Sequence, residues 1–519
     1  MRRSLALILV VFLGCLLAQR AEAQDQIRDL VVKIHATQQV PDLLRPWTKR
    51  SPQQVKGSGV VIDGKRILTN AHVVRYAKQI YVQPNQSASH IPAQVVALSP
   101  GMDLAVLKLD DESFFDNRGT LPFAYELPRV KDNVNVYGYP TGGTELSVTQ
   151  GIVSRIEYTD YYYQSTGLRI QVDAALNFGN SGGPAVTAGK LVGLVFSLIQ
   201  NAQNIGYLIP VEEIQLFLND IADGVYDGKP QTYDLIQTIE NEALRRKLKL
   251  PKGINGIMVA EPYRNEPSYP LKEWDVITQI GGTPVDTDGK VVIRYDLRLS
   301  ASYLVQKFAK DGLLPMTVFR DGKFLSINLP TSSRRDLVIP YLLDAQPRYL
   351  IFGPLVFSQT TQDYIDRLGN PRSPAFGSQP SPLFTRRFDK PAFNNEELVV
   401  VASPLFPHHI TQGYDDPNRA VLSEINDVPI KNLLHLVEVL RDNRDEQISF
   451  KFAAAGRLAH ETMVFNRSEL TEATGKILEE NGIRYPISAD LRAVWEATTP
   501  AEKRSAQTIC CESAQISRK

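Results

Sequence analysis

Cysteine is nearly missing from this chain: three in 519 residues, with Cys15 inside the first apolar run and Cys510 beside Cys511 near the C-terminus. That spacing excludes a disulfide framework, so stability must come from buried apolar surface. Net charge is missing too, since 57 Lys and Arg balance 57 Asp and Glu. No field of one sign recommends nucleic acid or an acidic membrane surface as a partner. Beyond the N-terminus no apolar run reaches the roughly 20 residues of a membrane-spanning helix, so stable membrane insertion is not expected. Histidines number seven, and only His408 and His409 are adjacent. Neighbours on a strand point to opposite faces, so no metal site is expected there. The glycines of "GSGVVIDG" are followed by neither a helix nor Lys-Ser/Thr, which removes the phosphate-loop reading, and no cofactor is indicated.

What is present reads as an ordinary globular chain, 43% hydrophobic and 22% charged, long enough for about three or four domains at roughly 150 residues each. Residues 1–23 carry Arg2 and Arg3, an apolar run from Leu5 to Ala18, and Ala21-Glu22-Ala23. This is the order of a secretory signal cleaved before Gln24, and it predicts a periplasmic or secreted protein. From 26 to 221 short β-rich runs alternate with turn residues, which argues a barrel or sandwich. "VEEIQLFLNDIADG" then reads as a helix stopped at Gly224.

Three segments of that β-rich region carry chemistry. "LTNAHVV" offers His72, "MDLAVLKL" offers Asp103, and "NFGNSGGPAV" offers Ser181 among three glycines. A serine hydroxyl needs a base within hydrogen-bond reach, an imidazole has a suitable pKa, and a carboxylate fixes its tautomer. The glycines let the Gly179 and Ser181 N–H groups point together at a developing oxyanion. Taken singly, a histidine in a strand-rich segment or an aspartate before a strand is more often structural. Together, in the order His, Asp, Ser, they predict a catalytic triad.

"GSGVVIDGKRILTNAHVV", "DLAVLKL" and "DAALNFGNSGGP" resemble the HtrA/Deg (DegP-like) family of serine endopeptidases, and "LRPWTKR" and "PRYLIFGPLVFSQTTQDYI" are similar to its plant-type Deg subgroup with an atypical second PDZ. The resemblance implies a mainly β chain: a chymotrypsin-like double β-barrel protease domain over 24–228, followed by two PDZ-like α+β domains at 229–333 and 338–488. It implies His72 as general base, Asp103 as its orienter, Ser181 as nucleophile, and the backbone of Gly179, Asn180 and Ser181 as oxyanion hole. It also implies a homo-oligomer, trimer or hexamer, with residues 28–47 as a candidate contact. In trypsin-like enzymes an acidic residue six positions before the serine selects basic P1 residues; here that position is Ala175. With Val195, Phe196 and Ser197 as further pocket residues, the expected P1 is small or medium and apolar. Unfolded or misfolded polypeptide is the expected substrate. "YDLIQT" is the carboxylate-loop candidate of the first PDZ domain, with Tyr233, Asp234, Leu235 and Ile236 as peptide-binding residues for C-termini. The stretch 489–519 is expected to be a disordered tail. A chaperone-like or PDZ binding module with little proteolytic activity, and a scaffold of PDZ repeats, are the alternatives; neither accounts for the glycine-framed serine.

Overall fold

The structure is a computed structural model that describes residues 26–141, 143–198, 205–369, 381–453 and 462–497. The signal sequence, Cys510 and Cys511 lie outside these residues. Two compact units divide the chain: residues 1–38 with 52–335, and residues 39–51 with 336–519.

The first unit opens with a short helix at 26–29 (α1) and six strands: β1 (Val31–Gln38), β2 (Gln53–Ile62), β3 (Arg66–Thr69), β4 (Ala77–Gln83), β5 (Ile91–Ser99) and β6 (Leu104–Leu109). They close into a barrel in the order β1-β2-β3-β6-β5-β4. A second barrel follows, from β7 (Asn133–Gly138), β8 (Ser147–Asp160), β9 (Thr166–Val172), β10 (Pro184–Thr187), β11 (Lys190–Leu198) and β12 (Gly206–Pro210), in the order β10-β11-β12-β9-β8-β7. The alternating sequence is what permits closure, because each strand can send apolar side chains inward. Val60, Ile62, Leu68, Leu104 and Leu107 fill the first barrel, and Val134, Val153, Leu168, Ile170 and Leu208 the second. A closed barrel leaves no unpaired edge. Between β3 and β4 lies the one-turn α2 (Ala71–Val74), and after β12 the helix α3 (Val211–Asp220) buries Val211, Ile214 and Phe217. The helical turn after it ends at Gly224, which takes φ 92°.

The same unit continues into β13 (Leu235–Thr238), α4 (Glu242–Lys247), β14 (Ile257–Glu261), β15 (Val276–Ile280), β16 (Thr283–Pro284), β17 (Lys290–Arg294), β18 (Leu297–Ser300), α5 (Tyr303–Phe308), β19 (Leu313–Arg320) and β20 (Lys323–Pro330). The sheet runs β13-β14-β15-β19-β20, and β17 pairs only with β18. Asp321 and Gly322, both at positive φ, close the β19–β20 hairpin with the turn that twisted strands favour. This part meets the second barrel at a buried polar cluster. Lys229 Nζ donates to Glu213 Oε2 at 2.9 Å and to Gln306 Oε1 at 3.1 Å, and Gln306 Nε2 donates to Glu213 Oε1 at 3.0 Å.

The second unit contains β21 (Tyr349–Phe352), β22 (Leu355–Gln359), α6 (Gln362–Leu368), α7 (Pro382–Thr385), β23 (Val399–Val401), β24 (Val421–Ile425), β25 (Val428–Pro429), α8 (Leu433–Asp442), β26 (Gln447–Ala453), β27 (Thr462–Asn466), α9 (Arg467–Glu480) and α10 (Ala489–Trp495). Its sheet runs β21-β22-β23-β24-β26-β27. Helix α8 buries Leu433, Leu436, Val437 and Leu440, one face at helical spacing.

Four expectations change. The tail does not begin at 489, because Ala489–Trp495 is helical and Leu491 is buried in the core. The N-terminal protease segment is not continuous, since residues 39–51 belong with the second unit. Of the stretch 28–47, Val31, Val32, Ile34 and Ala36 are buried in the first barrel, and Trp47 lies 5.5 Å from Phe406. His408 and His409 lie in a turn rather than a strand, which brings their rings to 4.3 Å instead of opposite faces.

Candidate active site

The sequence "TNAHVV" turns sharply after β3 because Asn70 begins α2 and ties itself to the next loop: its Nδ2 donates to the Asp103 carbonyl at 2.9 Å. Asp103 sits just before β6 at φ 55°, a left-handed conformation that aspartate tolerates better than most side chains. Its carboxylate faces the start of α2. Oδ1 accepts the His72 backbone N–H at 2.8 Å and Oδ2 accepts the ring Nδ1–H at 2.7 Å. With Nδ1 donating, the other ring nitrogen, Nε2, presents its lone pair. Gln38 secures the turn from β1, donating to the carbonyls of His72 at 2.7 Å and Val73 at 2.9 Å.

Asp103 is buried while 43% of the His72 side chain is exposed, so solvent and any ligand meet the imidazole and not the carboxylate. Loss of solvent around the ring lowers the His72 pKa. The Asp103 charge and the hydrogen bond to it outweigh that effect and hold the pKa above the ordinary histidine value. The wall beside Asp103 is aromatic: the rings of Tyr161 and Tyr162 lie 5.1 and 5.5 Å from Phe196, and the Arg169 guanidinium stacks 4.8 Å from Phe196 and 4.7 Å from Tyr161. Burial, then the Glu213 charge and to a smaller extent that of Asp103, push the Tyr161 phenol well above its ordinary pKa, so it stays neutral.

Ser181 lies on the loop between β9 and β10, and its carbonyl accepts the Ser58 N–H of β2 at 2.8 Å. That bond brings the serine of one barrel to the barrel that carries His72 and Asp103. Gly57 is where the two meet: a Cβ there would stand 2.7 Å from Val73 Cγ1 and 3.3 Å from the Ser181 carbonyl. Among the described residues no hydrogen bond joins His72 to the Ser181 hydroxyl.

Gly179 has φ 97°, and a side chain there would collide with the Tyr139 carbonyl, so glycine is required. The Phe178 carbonyl accepts the Thr141 N–H at 2.6 Å, and the Asn180 carbonyl accepts the Gly183 N–H at 2.9 Å. A trans peptide points its N–H opposite its carbonyl. The Gly179 and Ser181 N–H groups therefore face away from those anchors, and among the described residues neither donates a hydrogen bond. Asn180 departs from the expectation: its N–H donates to the Asn177 carbonyl at 3.1 Å, so the expected set reduces to two donors.

The expected pocket residues separate. Val195 is buried in the core of the second barrel and Phe196 in the aromatic stack, so neither side chain opens onto a pocket. Ala175 is exposed, and the Ser197 side chain lies outside the described residues. Leu176, which the sequence did not single out, is packed so closely on Gly206 that a Cβ at 206 would collide with its Cδ1. Of the residues expected to bind peptide, Leu235 and Ile236 are 53% and 48% exposed on the edge strand β13. The Asp234 carboxylate is taken up by the Tyr263 N–H at 2.8 Å and the Tyr269 hydroxyl at 3.0 Å.

Two closed six-stranded barrels with this serine-bearing loop, followed by PDZ-type sheets, define a trypsin-like serine peptidase of mainly β fold carrying PDZ domains. Residues 57–194 match the trypsin-like peptidase domain and residues 338–490 match the PDZ domain. The chain is 34% identical over 472 residues to Protease Do-like 4, mitochondrial, of Arabidopsis thaliana, covering 90% of this chain and 86% of that one. It is likewise 34% identical over 471 residues to Protease Do-like 2, chloroplastic, of the same plant, covering 89% and 75%. Among solved structures, HtrA-type protease AlgW with tripeptide is 25% identical at a TM-score of 0.48, covering 61% of this chain and 97% of that one. The chain belongs to the Do-like (DegP/HtrA) family of serine proteases. Among the described residues no helix is long and apolar enough to cross a membrane.

Proposed function

We propose that this protease cuts polypeptides by attack of the Ser181 hydroxyl on the scissile carbonyl. His72 Nε2 takes the hydroxyl proton, Asp103 stabilises the resulting imidazolium, and the Gly179 and Ser181 N–H groups receive the oxyanion. Collapse of the tetrahedral adduct passes the proton from His72 to the leaving amine and leaves an acyl-enzyme. Water activated by the same imidazole then releases the new carboxylate. The observation that carries this reading is the 2.7 Å bond between His72 and Asp103 on the barrel to which the Ser181 carbonyl is anchored.

The uncharged Ala175 and the Leu176 side chain against Gly206 favour small or medium apolar P1 residues. Such residues are buried in folded proteins and exposed in unfolded ones, so misfolded or damaged chains are the natural substrates. The N-terminal 23 residues favour export as the route to them. The open edge of β13, with Leu235 and Ile236 outward, suits an added peptide strand. A trimer or hexamer rests on the family resemblance.

The test is digestion of unfolded casein by the chain from Gln24, with Ser181→Ala beside it and mass spectrometry of the fragments. Cuts after Ala, Val, Ile or Leu that vanish in the variant are expected. Cleavage that survives Ser181→Ala would overturn the assignment, and intact casein with tight client binding would favour a binding module.

A further inference from the structure

The two N–H groups assigned to the oxyanion belong to a glycine-rich loop whose sequence does not hold one shape by itself. Gly179 can occupy positive or negative φ about equally well, so something outside the loop must choose. Two of the four peptides from 178 to 182 are fixed by Thr141 and Gly183, as described. The N–H groups of the other two, 179–180 and 181–182, donate to the Asn177 carbonyl at 3.1 Å and the Val195 carbonyl at 3.0 Å, and their carbonyls both end on one residue.

That residue is Ser58, fully buried on β2. Its hydroxyl donates to the Gly179 carbonyl at 2.8 Å and accepts the Tyr139 N–H at 2.9 Å. Its N–H donates to the Ser181 carbonyl at 2.8 Å, and its carbonyl accepts the Thr69 hydroxyl at 2.7 Å. Thr69 is the last residue of β3, three positions before His72. Every backbone polar group of Ser58 and both functions of its hydroxyl are therefore engaged, and they reach the loop bearing Ser181, the strand leading to Tyr139 and the approach to His72.

We propose that Ser58 is the positioning residue of the oxyanion hole. Resting on the catalytic reading above, its hydroxyl holds the 179–180 peptide between the two donor peptides and so fixes the spacing and direction of both N–H groups. Loss of that anchor would free the torsions at Gly179 and Asn180 that set how the two donor peptides are aimed at each other, without moving His72 or Asp103. The cost falls on the transition state and spares the ground state, which separates this role from general support of the fold.

The experiment compares full-length wild type with Ser58→Ala on a peptide substrate and on a peptide boronate, which forms a tetrahedral adduct with an active-site serine. Removing one oxyanion donor outright costs about 10²- to 10³-fold in kcat, and a misaimed donor should cost less. We expect kcat and boronate affinity to fall together by about 10- to 100-fold, with KM and the acid limb of the pH profile unchanged. Ser58→Cys keeps a weak donor of similar shape, so it should recover part of the loss, and it supplies the measurement should Ser58→Ala not fold. Unchanged boronate affinity in a folded variant overturns the proposal, as does a fall confined to KM. A wild type that forms no boronate adduct overturns the catalytic reading beneath it, and the proposal with it.

Discussion

In the proposed mechanism Asp103 acts through His72, so its replacement should be felt in rate and not in binding. Asp103→Asn keeps the shape but leaves the imidazole in the wrong tautomer, and kcat should drop by about 10⁴-fold with KM little changed. The pH dependence has a definite sign. The base must be neutral, and the Asp103 charge holds the His72 pKa above 6.5. The acid limb of kcat/KM should therefore lie above the ordinary histidine value, and activity should rise with pH through it. The stabilising effect of the pair runs the other way: it is complete below the unfolded pKa of histidine and is lost as pH rises through the folded one. Leu176→Ala should open the space against Gly206 and move the preferred P1 from Ala and Val toward Leu and Phe in a peptide library; an unchanged profile would remove Leu176 from the pocket. The three chemical residues were readable because each carries its own local motif. Thr141, Ser58 and Leu176 were not, because they are common residue types whose meaning comes from contacts across the chain. Val195 was misread because a strand sends consecutive side chains to opposite faces, so three successive residues of β11 cannot all line one pocket.

At the scale of elements, the junction between the second barrel and the sheet that follows it combines one shared apolar cluster with a buried ion pair. Two acids, Glu212 and Glu213, lie in the first turn of α3, where negative charge complements the helix dipole. Glu213 is instead 1% exposed and accepts from Leu168 N–H at 2.8 Å as well as from Lys229 and Gln306. Desolvation opposes the Lys229 charge, but Glu213 and the neighbouring tyrosines outweigh it and hold the ammonium above its usual pKa. Its stabilising effect is therefore present at neutral pH and lost only as pH climbs through that raised value. Lys229→Met would leave the Glu213 carboxylate buried without its partner, and unfolding in urea should report a loss of about 3–5 kcal/mol. Adding Glu213→Gln should restore part of it. No local motif announces this role, for Lys229 sits in "DGKPQ", a stretch whose composition reads as linker. Helix α3, by contrast, was legible from its apolar spacing and its glycine stop.

For the molecule as a whole, the order of parts was legible, because strand-rich and mixed stretches follow one another with clear changes of rhythm. The assignment of residues 39–51 to the second unit was not, since thirteen residues with two leucines and a tryptophan carry no periodicity. In that unit Leu43, Leu44 and Trp47 pack on a core that includes Ile351, Val356 and Ile365, and the Ser403 hydroxyl donates to the Leu44 carbonyl. Trp47→Ala should destabilise the unit by about 1–3 kcal/mol, visible as faster hydrogen exchange in β21 and β22. Exchange unchanged from wild type would mean that the packing contributes nothing. The central claim remains chemical: a serine on the second barrel, activated by a histidine on the first. Intact-mass and peptide mapping after treatment of the native chain with a fluorophosphonate tests it most directly. A single adduct on Ser181, abolished by His72→Ala, is the predicted result; an unlabelled chain, or an adduct on another serine, would contradict it.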